Sequence, residues 1–352
     1  MNLPDIRRHR SRMLKDNKPV LPISIEQWRR RSLWEKLSDS YQDRYHDPLM
    51  TRYAHILSVV FFIFNVVSWI HLFLNYYIPV NYSHWEPLER YYLKVFACFI
   101  FVQTVGNYIC VMCYQSFVER NADKWNENYD NNTLVTKDYL SPQSDDDEIV
   151  MEDAIKDDKD VMFCGKFCNQ CNLRLPYRAH HCKICKKCVI KRDHHCFFTA
   201  TCIGHYNQRY FVILCFYISI GCFWGMSEAI RYINGAFGTS TIQWDYMLPV
   251  TCFRWLSGSI PLGHLLVMFQ MYNLWWIELA GCGFFVWNMY IIALGKTSHE
   301  VRKGSRLHSV ATLSQRFQFV FGSFWLTNFI FPSVLIFRQE HNGHQWIDLR
   351  QS

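Results

Sequence analysis

Hydrophobic and polar residues alternate along this chain in long blocks. Four apolar blocks exceed the about 20 residues that a bilayer-crossing helix requires. Residues 54–80 (AHILSVVFFIFNVVSWIHLFLNYYIPV) and 95–118 (VFACFIFVQTVGNYICVMCYQSFV) contain no Asp, Glu, Lys or Arg. Residues 210–233 are uncharged up to Glu228, and 255–295 carry one charge, Glu278. Trp and Tyr gather near the ends of these runs, as at membrane–water boundaries. The pattern predicts an all-α membrane protein with four transmembrane helices. At about 1.5 Å per residue, a helix over the whole of 255–295 would be twice the about 30 Å hydrocarbon core. The fourth span is therefore placed at 268–295, with 234–267 as a lumenal loop that has an apolar approach. A further uncharged run, 317–337, is either a fifth span or a segment packed on the other helices. Its Gln318, Gly322, Ser323, Asn328 and Pro332 favour packing.

The polar blocks set the orientation. Residues 1–53 form a basic arm with 12 Lys/Arg against 7 Asp/Glu, and the 81–90 loop has one Arg. The positive-inside bias predicts a cytosolic N-terminus. Four crossings then make 119–208 and the tail 296–352 cytosolic as well. No cleavable signal peptide is expected in so polar a start. Residues 25–37 (IEQWRRRSLWEKL) suit a helix with one basic side, lying on the membrane or in solvent. Residues 119–162, with the acidic patch SDDDEIVMED at 144–153, read as a cytosolic linker. The sequon NYS at 81–83 faces the lumen close to the membrane. Glu278 lies inside the membrane, where a carboxylate is a candidate for function or for hydrogen-bonded packing. The organisation expected is an arm (1–53), spans one and two (54–118), the linker (119–162), a cysteine-rich domain (163–208), spans three and four with their loop (209–295) and a tail (296–352).

Half of the residues are hydrophobic, and the formal net charge is +7. Basic cytosolic faces on a membrane protein account for that charge better than nucleic-acid binding does. Residues 163–205 stand apart in being rich in Cys, His and basic residues. Seven cysteines (Cys168, Cys171, Cys182, Cys185, Cys188, Cys196 and Cys202) lie there with the pairs His180–His181 and His194–His195. Cytosolic cysteines stay reduced, so the C-x2-C spacing reads as metal binding, and Cys with His suits tetrahedral Zn²⁺. A nucleic-acid zinc finger fits poorly, because the third span follows at once. Two zincs would use eight of the eleven side chains, and composition leaves open which three stay free.

The stretch FCNQCNLRLPYRAHHCKICKKCVIKRDHHCFFTATCIGHYNQRYF (167–211) resembles the cysteine-rich domain of DHHC protein S-acyltransferases (palmitoyltransferases). TSHE at 297–300 resembles that family's Thr-Thr-x-Glu element, and FVFGSFW at 319–325 its C-terminal aromatic motif. The resemblance implies four spans, with a two-zinc domain between the second and third. It implies one structural zinc on Cys168, Cys171, His181 and Cys188, and another on Cys182, Cys185, His195 and Cys202. Cys196, His194 and His180 stay free. Cys196 is then the nucleophile, His194 its base and Asp193 the residue orienting His194. The implied reaction is ping-pong transfer of a long-chain acyl group such as palmitoyl from acyl-CoA, through acyl-Cys196, to cysteines of membrane-associated proteins. No redox cofactor is needed.

Seven bases (Arg174, Arg178, Lys183, Lys186, Lys187, Lys191 and Arg192) face one acid, Asp193, across 174–193. The resemblance implies CoA phosphate contacts, expected at Arg178, Lys183, Lys187 and Lys191. For each base alone, solvent or a lipid headgroup is the plainer partner. Ser219 and Gly221 offer room for an acyl chain, or close helix packing. The family default location is Golgi or endoplasmic reticulum. This chain departs from the family pattern at Phe197 and Phe198, where Pro-Trp is usual, at Thr201 and Arg316, each replacing Asn, and at Ser298, replacing Thr. A catalytically weak relative, serving as membrane scaffold or accessory subunit, is the alternative these departures raise.

Overall fold

A computed structural model describes residues 48–118, 166–237, 246–305, 307–322, 326–330 and 349–351. The N-terminal arm up to 47, the acidic linker 119–162, the side chain of Arg174 and the tail over 331–348 lie outside the described residues. The chain divides into units 1–54 and 55–352, and only the opening turns of the first helix are described for the former.

Four long helices form where the apolar blocks predict them. Helix α1 (Pro48–Leu72) runs through a π-helical turn (Phe73–Tyr77) into α2 (Ile78–Asn81). The other spans are α3 (Pro87–Cys113), α4 (Gln208–Phe237) and α6 (Leu262–Leu294). All four are long and apolar enough to cross a membrane. Local chemistry sets the ends. Glu86 and Glu89 form a capping box around Pro87, the first residue of α3. Helix α6 stops at Gly295, whose φ is +69° and where a Cβ would stand 2.5 Å from the Ser309 side chain.

Several boundaries differ from the pattern. Helix α3 begins at Pro87, so Glu89, Arg90 and Lys94 lie on it. It ends at Cys113, because 114–118 turns away to pair with the cysteine-rich domain. Val118 N donates to Cys188 O at 2.9 Å, and Ile190 N to Ser116 O at 2.8 Å. Helix α6 begins at Leu262 rather than 268, and α5 (Leu248–Leu256) occupies part of the expected loop, with Phe253 and Leu256 exposed. The 317–337 run is no continuous helix among the described residues. Helix α8 (Leu313–Phe321) ends at Gly322 (φ +90°), and the chain beyond packs back, with Asn328 donating to Phe321 O and Tyr217 to Phe329 O.

Helix α4 is the central span and packs on both α3 and α6. Gly281 permits the α4–α6 approach, since a Cβ there would lie 2.9 Å from Ile218. Ser219 belongs to this packing and bonds Cys215 O at 2.9 Å. Trp69 ties α1 to α4 by donating to Gly221 O at 2.9 Å. Buried Glu228 is satisfied by Tyr82 (2.6 Å), Asn81 (2.8 Å), Trp224 (3.2 Å) and Arg231 (3.3 Å), which an apolar interior requires of a carboxylate. The sequon's Asn81 amide is thereby engaged.

Between α3 and α4 the described residues form no helix. Three antiparallel hairpins follow one another: β1–β2 (Lys166–Cys168, Leu173–Leu175), β3–β4 (His180–Cys182, Lys187–Val189) and β5–β6 (His194–Cys196, Thr201–Ile203). After α6 come α7 (Ser298–Arg302) and a hairpin of β7 (Leu307–Ser309) with β8 (Leu349–Gln351).

Candidate metal centres and active site

Successive side chains of a strand point to opposite faces. That rule divides each His-His-Cys triplet. On β3, His181 joins its cross-strand partner Cys188 and the first turn's Cys168 and Cys171, whereas Cys182 faces the other way. On β5, His195 joins its partner Cys202 and the second turn's Cys182 and Cys185. His194 and Cys196, two residues apart, share the opposite face. His180 leaves the metal ligands and packs on His299, with ring centroids 4.1 Å apart.

Both groups fit zinc. Tetrahedral Zn²⁺ with Zn–S of about 2.3 Å and Zn–N of about 2.0 Å sets nitrogen and sulfur about 3.5 Å apart. His181 Nδ1 lies 3.6, 3.2 and 3.7 Å from the sulfurs of Cys168, Cys171 and Cys188. His195 Nδ1 lies 3.8, 3.2 and 3.6 Å from those of Cys182, Cys185 and Cys202. Each group joins consecutive hairpins, so β3–β4 belongs to both.

The hairpin turns reveal a relation that the ligand count missed. Cys168, Cys182 and Cys196 recur every 14 residues, as do Cys171, Cys185 and Thr199. The residues after the latter three, Asn172, Lys186 and Ala200, all have φ of +54°. The backbone N–H three residues on donates to the first sulfur in every turn. The third turn is thus built as a metal knuckle but has Thr199 where the others have their second cysteine. Cys196 therefore has no ligand partner in its own turn. The 14-residue repeat was the available signal.

Around Cys196 the polar groups are ordered. His194 Nδ1 donates to Asp193 Oδ2 at 2.8 Å, which fixes the tautomer and leaves Nε2 toward the thiol side. Asp193 is 1% exposed and accepts from Ser298 N at 2.5 Å and Ser298 Oγ at 3.0 Å, while Trp287 Nε1 donates to Ser298 Oγ at 2.8 Å. Phe211 and Phe284 flank the imidazole. Burial opposes charge on His194, but its bonds and charge pairing with Asp193 and Cys196 prevail and push its pKa up to about 9. Burial likewise opposes a thiolate at Cys196, yet His194 and the Thr199 hydroxyl and N–H hold the thiol below its usual range. His194 Nε2 makes no hydrogen bond of ordinary geometry, and both a looser contact and charge couple it to Cys196. Both shifts favour the imidazolium–thiolate form of the pair. Thr199→Val should raise the pH at which a small alkylating reagent captures Cys196 by up to about one unit, because it removes the hydroxyl dipole beside the sulfur and leaves the backbone N–H in place. An unchanged profile would deny the hydroxyl that role.

TSHE has a visible purpose. Thr297 and Glu300 form a capping box on α7, Ser298 holds Asp193, and Glu300 binds Arg178 Nε and Nη2, both at 2.6 Å. Burial opposes charge on Glu300, and the Arg178 guanidinium reverses it, lowering the carboxyl's pKa. Arg178 also donates to Gly295 O at 3.1 Å and is 7% exposed. Its Nε and Nη2 are thus engaged with Glu300 rather than offered to solvent. Lys191 is also buried, close enough to Glu300 to stabilise its charge, whereas Lys183 is exposed and Lys187 is exposed over the Phe117 ring. Another basic group lies at His299, whose pKa falls to about 4 through burial and the charges of Arg192, Arg302 and Lys303. Arg316, the replacement for Asn, bonds the carbonyls of Ala311 and Ser309, both at 2.9 Å, and of Ala293.

A small cavity of about 60 Å³, partly open to the outside, lies between α1, α3, α4 and α6. Phe62, Trp69, Ile100, Gly221 and Leu274 line it with Phe198, two residues from Cys196. Gly221 lines it at a close helix approach, where a Cβ would stand 3.3 Å from Ile100. Glu278 neighbours Cys222, another lining residue.

Residues 163–305 match the DHHC palmitoyltransferase family. Palmitoyltransferase ZDHHC22 of Homo sapiens is 33% identical over 156 residues, 44% of this chain and 59% of that protein. Palmitoyltransferase PFA3 of Gibberella zeae is 36% identical over 118 residues, 34% of this chain and 21% of that protein. Palmitoyltransferase ZDHHC16A of Danio rerio is 46% identical over 108 residues, 29% of this chain and 27% of that protein. The chain spans about three fifths of the length of the ZDHHC22 relatives.

Proposed function

Since the chain belongs to the DHHC palmitoyltransferase family, we propose that it is an integral-membrane protein S-acyltransferase working through an acyl-Cys196 intermediate. The observation carrying this reading is the Asp193–His194–Cys196 set, with Asp193 and Cys196 buried and His194 partly so, outside both metal groups and beside an apolar cavity between the spans. The Cys196 thiolate attacks the carbonyl carbon of a long-chain acyl-CoA, forming the new thioester, and the CoA sulfur leaves. His194 gives its Nε2 proton to that leaving sulfur. The neutral imidazole then takes a proton from a substrate cysteine, whose sulfur accepts the acyl group as Cys196 leaves as thiolate. Asp193 holds the tautomer and balances the imidazolium in both halves.

One thioester replaces another, so the exchange needs no external energy source. The apolar lining of the cavity, open at one side, suits the acyl chain. The CoA phosphates are assigned to exposed Lys183 and Lys187 together with Arg192, Arg302 and Lys303 beside His299, one residue from Ser298. The zincs, held by four protein ligands each, would cross-link the hairpins and leave no open coordination position. Substrates are membrane-associated proteins with cysteines near the cytosolic face. Golgi or endoplasmic reticulum membranes, with both termini cytosolic, complete the reading.

Purified protein in lipid vesicles, given palmitoyl-CoA carrying a clickable chain, should release about one CoA per chain before any acceptor is added. It should acquire label that hydroxylamine removes. Folded, zinc-containing protein that releases no CoA would favour the scaffold or accessory role.

A further inference from the structure

The end of α1 beside the cysteine-rich domain presents two polar side chains one helical turn apart, His55 and Ser58. His55 Nε2 lies 3.1 Å from His195 Nε2. His195 faces its metal group through Nδ1, which must offer a lone pair, so its proton resides on Nε2 and is donated to His55. The Ser58 hydroxyl reaches Phe197 O at 2.7 Å, and its own helix carbonyl, His55 O, at 2.9 Å. The His55 ring also lies 5.5 Å from the Phe197 ring. From α3, Tyr108 donates to Phe198 O at 3.0 Å. The two residues immediately after the nucleophile thus have their carbonyls held by hydroxyls from two different spans.

These contacts fall where the chain departs from its family. Proline after the nucleophile would fix φ by its ring. Phe197 has no such restraint, and the bond from Ser58 is available to replace it. Helix α1 continues from here along the cavity through Phe62 and Trp69. The same helix therefore lines the acyl slot and touches both a metal ligand and the nucleophile's turn.

We propose that His55 and Ser58 form a latch through which the first transmembrane helix positions the catalytic turn: His55 orients the zinc ligand His195, and Ser58 fixes the backbone after Cys196. Both are positioning residues. The latch rests on the zinc and acyltransferase readings above, and the test separates them.

Zinc release into a chromogenic chelator and acyl loading from palmitoyl-CoA are measured on full-length protein in vesicles. His55→Phe keeps a ring and removes the acceptor. It should make one of the two zincs leave about 10- to 100-fold faster, the usual range for losing an outer-shell partner, with the other unchanged. Ser58→Ala should keep both zincs at their wild-type release rates and load acyl groups about 10-fold more slowly, as loss of about one hydrogen bond implies. Ser58→Thr should restore loading. Both zincs leaving at wild-type rates from His55→Phe and His55→Ala would overturn the His55 half. Wild-type loading in Ser58→Ala, or slow loading that Ser58→Thr does not recover, would overturn the Ser58 half. Wild-type protein without zinc would instead overturn the metal reading and His55's role with it, and zinc-loaded wild type that loads no acyl group would overturn the acyltransferase reading.

Discussion

Cys196→Ser protein should retain both metals yet carry no acyl label that hydroxylamine removes, and its transfer rate should fall about 10⁴-fold or more, as when a nucleophile is deleted from a catalytic set. The substitution changes one atom in a site 7% exposed, so packing is nearly preserved. What changes is the acid. The surroundings of Cys196 hold a thiol below its usual range, but an alcohol ionises far less readily, and His194 would have to remove its proton during attack. The measurement is clickable palmitate labelling with and without hydroxylamine, beside zinc content. Other cysteines supply the control, since Cys113 is exposed and Cys110 partly so. Equal hydroxylamine-sensitive label on wild type and Cys196→Ser would assign the acyl group to such residues and remove the basis for the proposed chemistry.

Glu300→Ala should destabilise the folded protein by about 3–5 kcal/mol, the cost of leaving one member of a buried ion pair alone. The side chains of Arg178 and Glu300 are 3% and 8% exposed, and the pair joins the cysteine-rich region to α7 at 2.6 Å. Arg178 would then keep only the Gly295 carbonyl among the partners described above. Replacing both residues by leucine should recover most of the loss, because no buried charge remains. Denaturant unfolding of the three proteins in one detergent decides the matter. A double variant no more stable than Glu300→Ala would mean that the contact acts through its shape rather than through its charges.

Much of this architecture was legible in the sequence, for identifiable reasons. Apolar runs free of charge permit few alternatives in a bilayer, so the four spans lie at their expected places. Their ends were less legible because they depend on partners distant in the chain. Residues 114–118 are as free of charge as the end of the helix before them, but their backbone pairs with Val189 and its neighbours. Arg178 looked like any base in a basic stretch. Its φ of +64° and its burial against Glu300, 122 residues away, are tertiary facts with no local sign. The ligand sets implied by family resemblance coincide with the two groups brought together in space, and strand alternation gives the reason. Thr199, His55 and Ser58 were not singled out, since threonine, histidine and serine at single positions say little until the third dimension shows what they touch.

The shared middle hairpin makes the two metal positions unequal. Removing an ion from Cys182, Cys185, His195 and Cys202 would loosen β5–β6, which carries Cys196. Removing one from the other group would free β1–β2 while the hairpin of Cys196 stayed fastened to its neighbour. Chains of identical average metal content would then differ in competence according to which ion each had kept, and bulk metal analysis would be a poor gauge of the functional fraction in a preparation.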